Sequence, residues 1–187
     1  MKKRISKIPS VFLCLLVLAM VFAVAVPMNV SADSDGVPFK GNFDGGNVPA
    51  VEPLERIVVS GQANQLGKYT AVVDANMAIY EIIGWVPIPG VPDPGFPILR
   101  LPTTATFTAA NGDKLYADMD LVGMRHMGDM NFPAFTLDAT ITGGTGRFEG
   151  ATGSFLGSGG QITMPGDDSD LVIGSFAGMI STVGSNK

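Results

Sequence analysis

The side chains best suited to chemistry lie in one short segment. Met124, His126, Met127 and Met130 place three thioethers and an imidazole within seven residues, and soft ligands of that kind suit Cu(I). The same methionines also serve as adaptable apolar filler across the end of a domain. His126 is the sole histidine, so a Ser-His-Asp triad would need it as base, and no Gly-x-Ser-x-Gly elbow lies nearby. Asp118, Asp120 and Asp138 could supply a carboxylate pair, yet each falls at the polar position of an alternating stretch, where solvation accounts for it. Asp167, Asp168 and Asp170 form an acidic turn with too few oxygens at defined positions for an EF-type calcium loop. Gly144-x-Gly146 has Glu149 where a dinucleotide fingerprint needs its third glycine. The Gly-Lys-Ser/Thr ending of a phosphate loop is also missing. Nucleotide binding is excluded and no cofactor is expected.

These residues are carried by strands. Leu54 to Gln62 and Lys68 to Tyr80 are rich in β-branched and aromatic residues and flank a turn at Asn64 to Gly67. No segment beyond the leader holds an apolar period of 3.6 over three turns, so the domain is all-β. Gly84 to Pro97 contains five prolines, which favour extended, polyproline-like backbone over a central strand. It is expected to be a stiff loop pinned by Trp85 and Phe96, or else a lid or partner-binding loop. Around Asn111-Gly112, a two-residue turn would set Phe107 against Tyr116 and mix apolar with charged residues on each face. A three-residue loop with Gly112 in the left-handed conformation sets Phe107 opposite Leu115 and Ala105 opposite Ala117. Burial selects the second register. Phe135 to Thr142 is the cleanest half-buried strand. Phe155 to Met164 and Leu171 to Thr182 complete about eight strands without a crossover helix, the pattern of an antiparallel barrel or sandwich.

The amino terminus reads as an address. Lys2, Lys3, Arg4 and Lys7 precede the apolar run Val11 to Val26, and Val30-Ser31-Ala32 offers a signal-peptidase site. Residues 1–32 are expected to be a helical secretory signal peptide, with an uncleaved membrane anchor as the alternative. The 33–53 segment reads as a flexible arm, and 54–183 as the barrel domain. Cleavage would leave eight basic against seventeen acidic residues, a net charge of −9. That disfavours nucleic acid and anionic membranes as partners. The only cysteine, Cys14, would leave with the leader, so packing and strand pairing must stabilise the fold.

The segment Ile141-Thr-Gly-Gly-Thr-Gly-Arg-Phe-Glu-Gly-Ala-Thr-Gly153 resembles the glycine-rich segment of the dirigent and allene oxide cyclase-like barrels. Phe107 to Asp113 and Leu66 to Thr70 are similar to stretches of small secreted bacterial proteins that share this ending. The resemblance implies an eight-stranded antiparallel β-barrel with a central cavity, often assembled into oligomers. It also implies that Gly143, Gly144 and Gly146 shape a turn, that Phe148 plugs the barrel and that Arg147 pairs at its rim. Phe148 and Phe155 are seven apart and would face opposite sides of a flat strand, so if both are buried in the barrel a bulge must fall between Gly150 and Gly153. The plant enzymes' pocket residues have no matching positions here, so no catalytic residue is carried over. The resulting expectation is a secreted, non-catalytic module, binding a small apolar ligand or an extracellular partner, with a homo-oligomer also possible. Trp85, Phe107, Leu115 and Phe148 are the expected ligand contacts. A dirigent- or cyclase-type enzyme and a Cu(I) site are the alternatives.

Overall fold

A computed structural model describes residues 36–87, 90, 95–125, 132–163 and 170–181. The expected signal peptide lies outside them. Nine strands follow in order: β1 Gly36–Val48, β2 Leu54–Ala63, β3 Gly67–Asn76, β4 Glu81–Val86, β5 Phe96–Ala109, β6 Lys114–Met124, β7 Ala134–Gly144, β8 Gly153–Thr163 and β9 Asp170–Ser181. A single 3₁₀ turn, Gly146–Phe148, lies between β7 and β8. Every pairing is antiparallel, and β3 bonds to β5, so eight strands close into a barrel. The ninth, β4, stands outside that ring. It takes the Phe96–Arg100 half of β5, whereas β3 takes the Thr103–Ala109 half.

Three expectations are corrected. Most of the 33–53 arm is strand β1, which is paired on both sides. Its inward phase runs Phe39, Gly41, Phe43, Gly45, and glycine at every other inward position hid the alternation. The strand read as Lys68 to Tyr80 stops at Asn76. The proline-rich stretch is strand at both ends: Gly84–Val86, which holds no proline, belongs to β4, and Phe96–Pro97 opens β5, where a proline near the strand start is tolerated.

The β5–β6 hairpin has the bulged register. Phe107 faces Leu115 and Ala105 faces Ala117, all four buried. Gly112 has φ +89°, and its N–H donates to the Ala109 carbonyl at 2.9 Å. Phe148 and Phe155 are both buried, but by a different device from a strand bulge. The chain leaves β7, makes the 3₁₀ turn, turns again at Gly150 (φ +70°) and re-enters the wall at Gly153.

Inside the barrel, aromatic rings lie over glycines of adjacent strands. Phe176 is paired with Gly41 and Gly157, Phe43 with Gly61 and Gly174, and Phe135 with Gly123 and Gly159. Phe39 and Phe155 flank Gly178 from either side. The rings then meet one another: Phe39–Phe176 at 4.9 Å, Phe155–Phe176 at 5.1 Å and Tyr69–Phe107 at 5.5 Å between centroids. Large opposite small is how a narrow barrel fills its interior. A Cβ at Gly41 would come 2.6 Å from Phe176 Cζ and 2.8 Å from Ala63 Cβ. Gly41→Ala is therefore expected to destabilise by about 1–3 kcal/mol. Phe176→Leu should recover part of that loss, so urea unfolding of both single variants and the double variant should show a non-additive cycle.

Candidate functional site

One end of the barrel is shut. Phe148 is fully buried, with the Arg147 guanidinium 4.8 Å above its ring. Arg147 Nη2 donates to the Leu66 carbonyl at 3.2 Å, and Nε lies 3.7 Å from Asp113 Oδ2. This half-exposed arginine clamps the plug to the β2–β3 and β5–β6 turns.

Above the plug the lumen is nearly full. Its cavity measures about 50 Å³ and is walled by apolar and aromatic side chains, among them Phe43, Ile57, Val73, Phe107, Leu137 and Phe155. Tyr69 also lines it, with its hydroxyl donating to the Asn42 carbonyl at 2.8 Å. An engineered apolar cavity that admits benzene measures about 150 Å³. Of the expected ligand contacts, Phe107 lines the cavity, while Leu115 and Phe148 pack elsewhere in the core. Trp85 stands outside the barrel on β4, 42 % exposed. The four do not converge on one site.

The opposite end carries a polar network that sequence reading missed. Asn47 Nδ2 donates to Glu55 Oε1 at 2.9 Å and to Asp170 Oδ2 at 3.2 Å. Gln161 Nε2 reaches the same Asp170 oxygen at 3.0 Å, and Gln161 Oε1 accepts from Phe132 N at 3.3 Å. Because both partners of Asn47 Nδ2 are carboxylates, the amide cannot flip without setting acceptor against acceptor. Its Oδ1 is buried and receives no donor from the described residues. Burial raises the Glu55 carboxyl above the ordinary range, the Asn47 bond and the Arg125 charge act against that, and Asp170 adds to it. A signal was available in the sequence: Glu55 shares the inward phase of Ile57 and Val59, and Asn47 that of Phe39 and Phe43. Asp170, expected in a solvated acidic turn, belongs to this network. Asp167 and Asp168 lie outside the described residues.

The Met/His site is described only at Met124, a half-buried residue ending β6; His126, Met127 and Met130 lie outside the described residues. Among those residues no group of three His, Cys, Asp or Glu side chains is placed to hold a metal ion. Asp118, Asp120 and Asp138 are exposed on the outer wall, at the expected outward positions, with Asp120 directly opposite Asp138. They line a shallow outer groove of about 630 Å³ together with Leu54, Ile79 and Pro102.

Beside that groove the β3–β4 corner carries the other notable surface. Ile79, Tyr80, Ile82, Ile83 and Trp85 are 41–56 % exposed and account for five of the eleven large exposed apolar residues described. β4 is the only described strand with a single neighbour.

The molecule is thus a closed eight-stranded antiparallel barrel with one plugged end, one polar end and one appended edge strand. No protein-family model matches the chain, and no curated protein or solved structure is found to be similar.

The polar network yields a pH prediction. With its folded pKa raised, Glu55 holds its proton in the folded state at pH values where the unfolded chain has lost it. Stability therefore falls as pH rises through that window. Glu55→Gln keeps an acceptor for Asn47 and removes the charge. It should be more stable than the parent above the window, by about 1 kcal/mol or less after solvent screening. The two should melt together below it, as paired thermal melts across about pH 3.5 to 8 would register.

Proposed function

We propose that this protein is a non-catalytic interaction module of the extracellular or envelope space, and that it acts through its outer surface rather than its lumen. The observation that carries this reading is the contrast between a barrel filled by phenylalanine rings and an exposed apolar edge strand. A cavity of about 50 Å³ is a packing remnant, whereas contiguous exposed Ile, Tyr and Trp side chains mark a contact surface. Among the described residues the outer edge of β4 has no strand partner, so its backbone can receive an extended polypeptide, and Ile82, Ile83 and Trp85 offer the side-chain contacts. The resemblance to dirigent and cyclase-like barrels enters at the level of architecture. The signal-peptide reading of residues 1–32 supplies the location.

A second reading has its own observation. The buried Asn47 Oδ1 at the polar end, which has no donor among the described residues, suits a small ligand that presents an N–H or O–H group and rests its apolar part against Ile57, Val73 and Leu137. Titration with N-phenyl-1-naphthylamine, octan-1-ol and hexadecan-1-ol separates the two. The interaction-module reading expects no saturable one-to-one complex with any of them. Stoichiometric binding that is lost in Leu137→Trp would overturn it in favour of a lumen ligand.

A further inference from the structure

We infer that the outer groove beside the β3–β4 corner takes an extended basic polypeptide segment, with lysine or arginine at alternate positions. The inference rests on the reading that the outer surface is the working face, and it names the partner's chemistry. The groove arises where two strands share β5. β3 stays on β5 from Ala109 back to Thr103, and β4 takes it up only at Arg100. The connection between them brings Asn76 and Ile79 to the groove, where they line one side with Leu54. The floor is the outer face of β5, β6 and β7. Its volume of about 630 Å³ lies within the range of ligand sites.

Charge selects the occupant. On the floor Asp120 stands directly opposite Asp138 across the β6–β7 ladder, and Asp118 follows on the same face of β6. Like charges directly opposite each other destabilise a sheet. Asp74, which also lines the groove, is paired with Arg56 at 2.6 Å. Asp118, Asp120 and Asp138 are exposed and have no ion pair or side-chain hydrogen bond among the described residues. A cationic partner removes their repulsion. Among the described residues no three ligating side chains converge on a metal position, which favours an organic cation. Alternate side chains of an extended segment lie about 6.6–6.8 Å apart. That is also the spacing of Asp118 and Asp120 along β6, and Asp138 lies about 5 Å across the ladder, within reach of a third basic side chain. Leu54 and Ile79, both exposed, select a polypeptide over a bare polyamine. A polyamine would leave them in water, whereas a polypeptide has apolar side chains to set against them.

The test is fluorescence anisotropy at low salt with a labelled heptapeptide that alternates lysine with valine. Saturable one-to-one binding is expected. It should weaken about three- to tenfold in the double variant Asp120→Asn with Asp138→Asn, since each exposed ion pair contributes modestly. It should weaken again in about 0.5 M sodium chloride. The double variant should melt at or above the parent's temperature, because it removes a repulsion and no packing contact. Weaker binding with undiminished stability is a result that a purely structural role for these carboxylates does not give. The controls are the isomer with its lysines contiguous, the glutamate–valine peptide and spermine. Preference for the alternating peptide over all three supports the inference. Equal binding of spermine or of the contiguous isomer indicates unspecific attraction and overturns it. Binding lost in Trp85→Ser but kept in the double aspartate variant also overturns it, while leaving the outer surface as the working face. No binding of any peptide overturns it as well, and a stoichiometric lumen complex with hexadecan-1-ol would separately overturn the outer-surface reading.

Discussion

The constraint on which the rest of this structure depends is the pairing of an inward aromatic ring with a glycine on the adjacent strand. An eight-stranded barrel leaves an interior wide enough for side chains and little else. Five phenylalanines, at positions 39, 43, 135, 155 and 176, fill much of it, and each has a glycine directly across a ladder to lie over. Glycine is a poor strand residue because it has no side chain to pack and loses the most backbone freedom on folding. Here those costs are offset by the apolar area of rings that could not otherwise enter. The small cavity follows directly, since space opened by absent Cβ atoms is occupied by aromatic carbon.

With the interior committed to packing, function moves to the ends and the outside. At the plugged end Arg147 holds Phe148 down by cation–π contact and a carbonyl bond, a structural use of a charge. At the other end the inward phase of the strands switches from apolar to polar within one pleat repeat, from Ile57 to Glu55 and from Val172 to Asp170. That switch gathers side-chain partners that a fully apolar lumen would exclude, and among the described residues it leaves Asn47 Oδ1 without a donor. β4 is the remaining asymmetry. The barrel has no edge of its own, yet β5 is long enough to close the ring with one half and carry an extra strand on the other.

Where one face of a hairpin is buried, register was legible in the sequence. The alternation through Phe107, Ala105, Leu115 and Ala117 admits one pairing that keeps charge out of the core, and the observed hairpin has it. β1 was not legible, because its inward phase alternates phenylalanine with glycine, and glycine in isolation is a turn signal. The polar network was hidden for a related reason. Asn47, Glu55, Gln161 and Asp170 lie up to 123 positions apart and share no motif. Only their inward phase distinguishes them, and that phase has meaning once the strands are known to close.

By itself the sequence determined the all-β class, the antiparallel pairing implied by short turns and the outward carboxylates, because these rest on local backbone preference and period-two burial. Tertiary structure alone decided that the glycines are seats for rings, that the lumen is full, that Glu55 is desolvated beside Asp170, and that β4 has a single strand neighbour among the described residues. Each of those depends on which strand lies next to which around a closed barrel, and closure is set by long-range pairing between segments that carry no mark of each other.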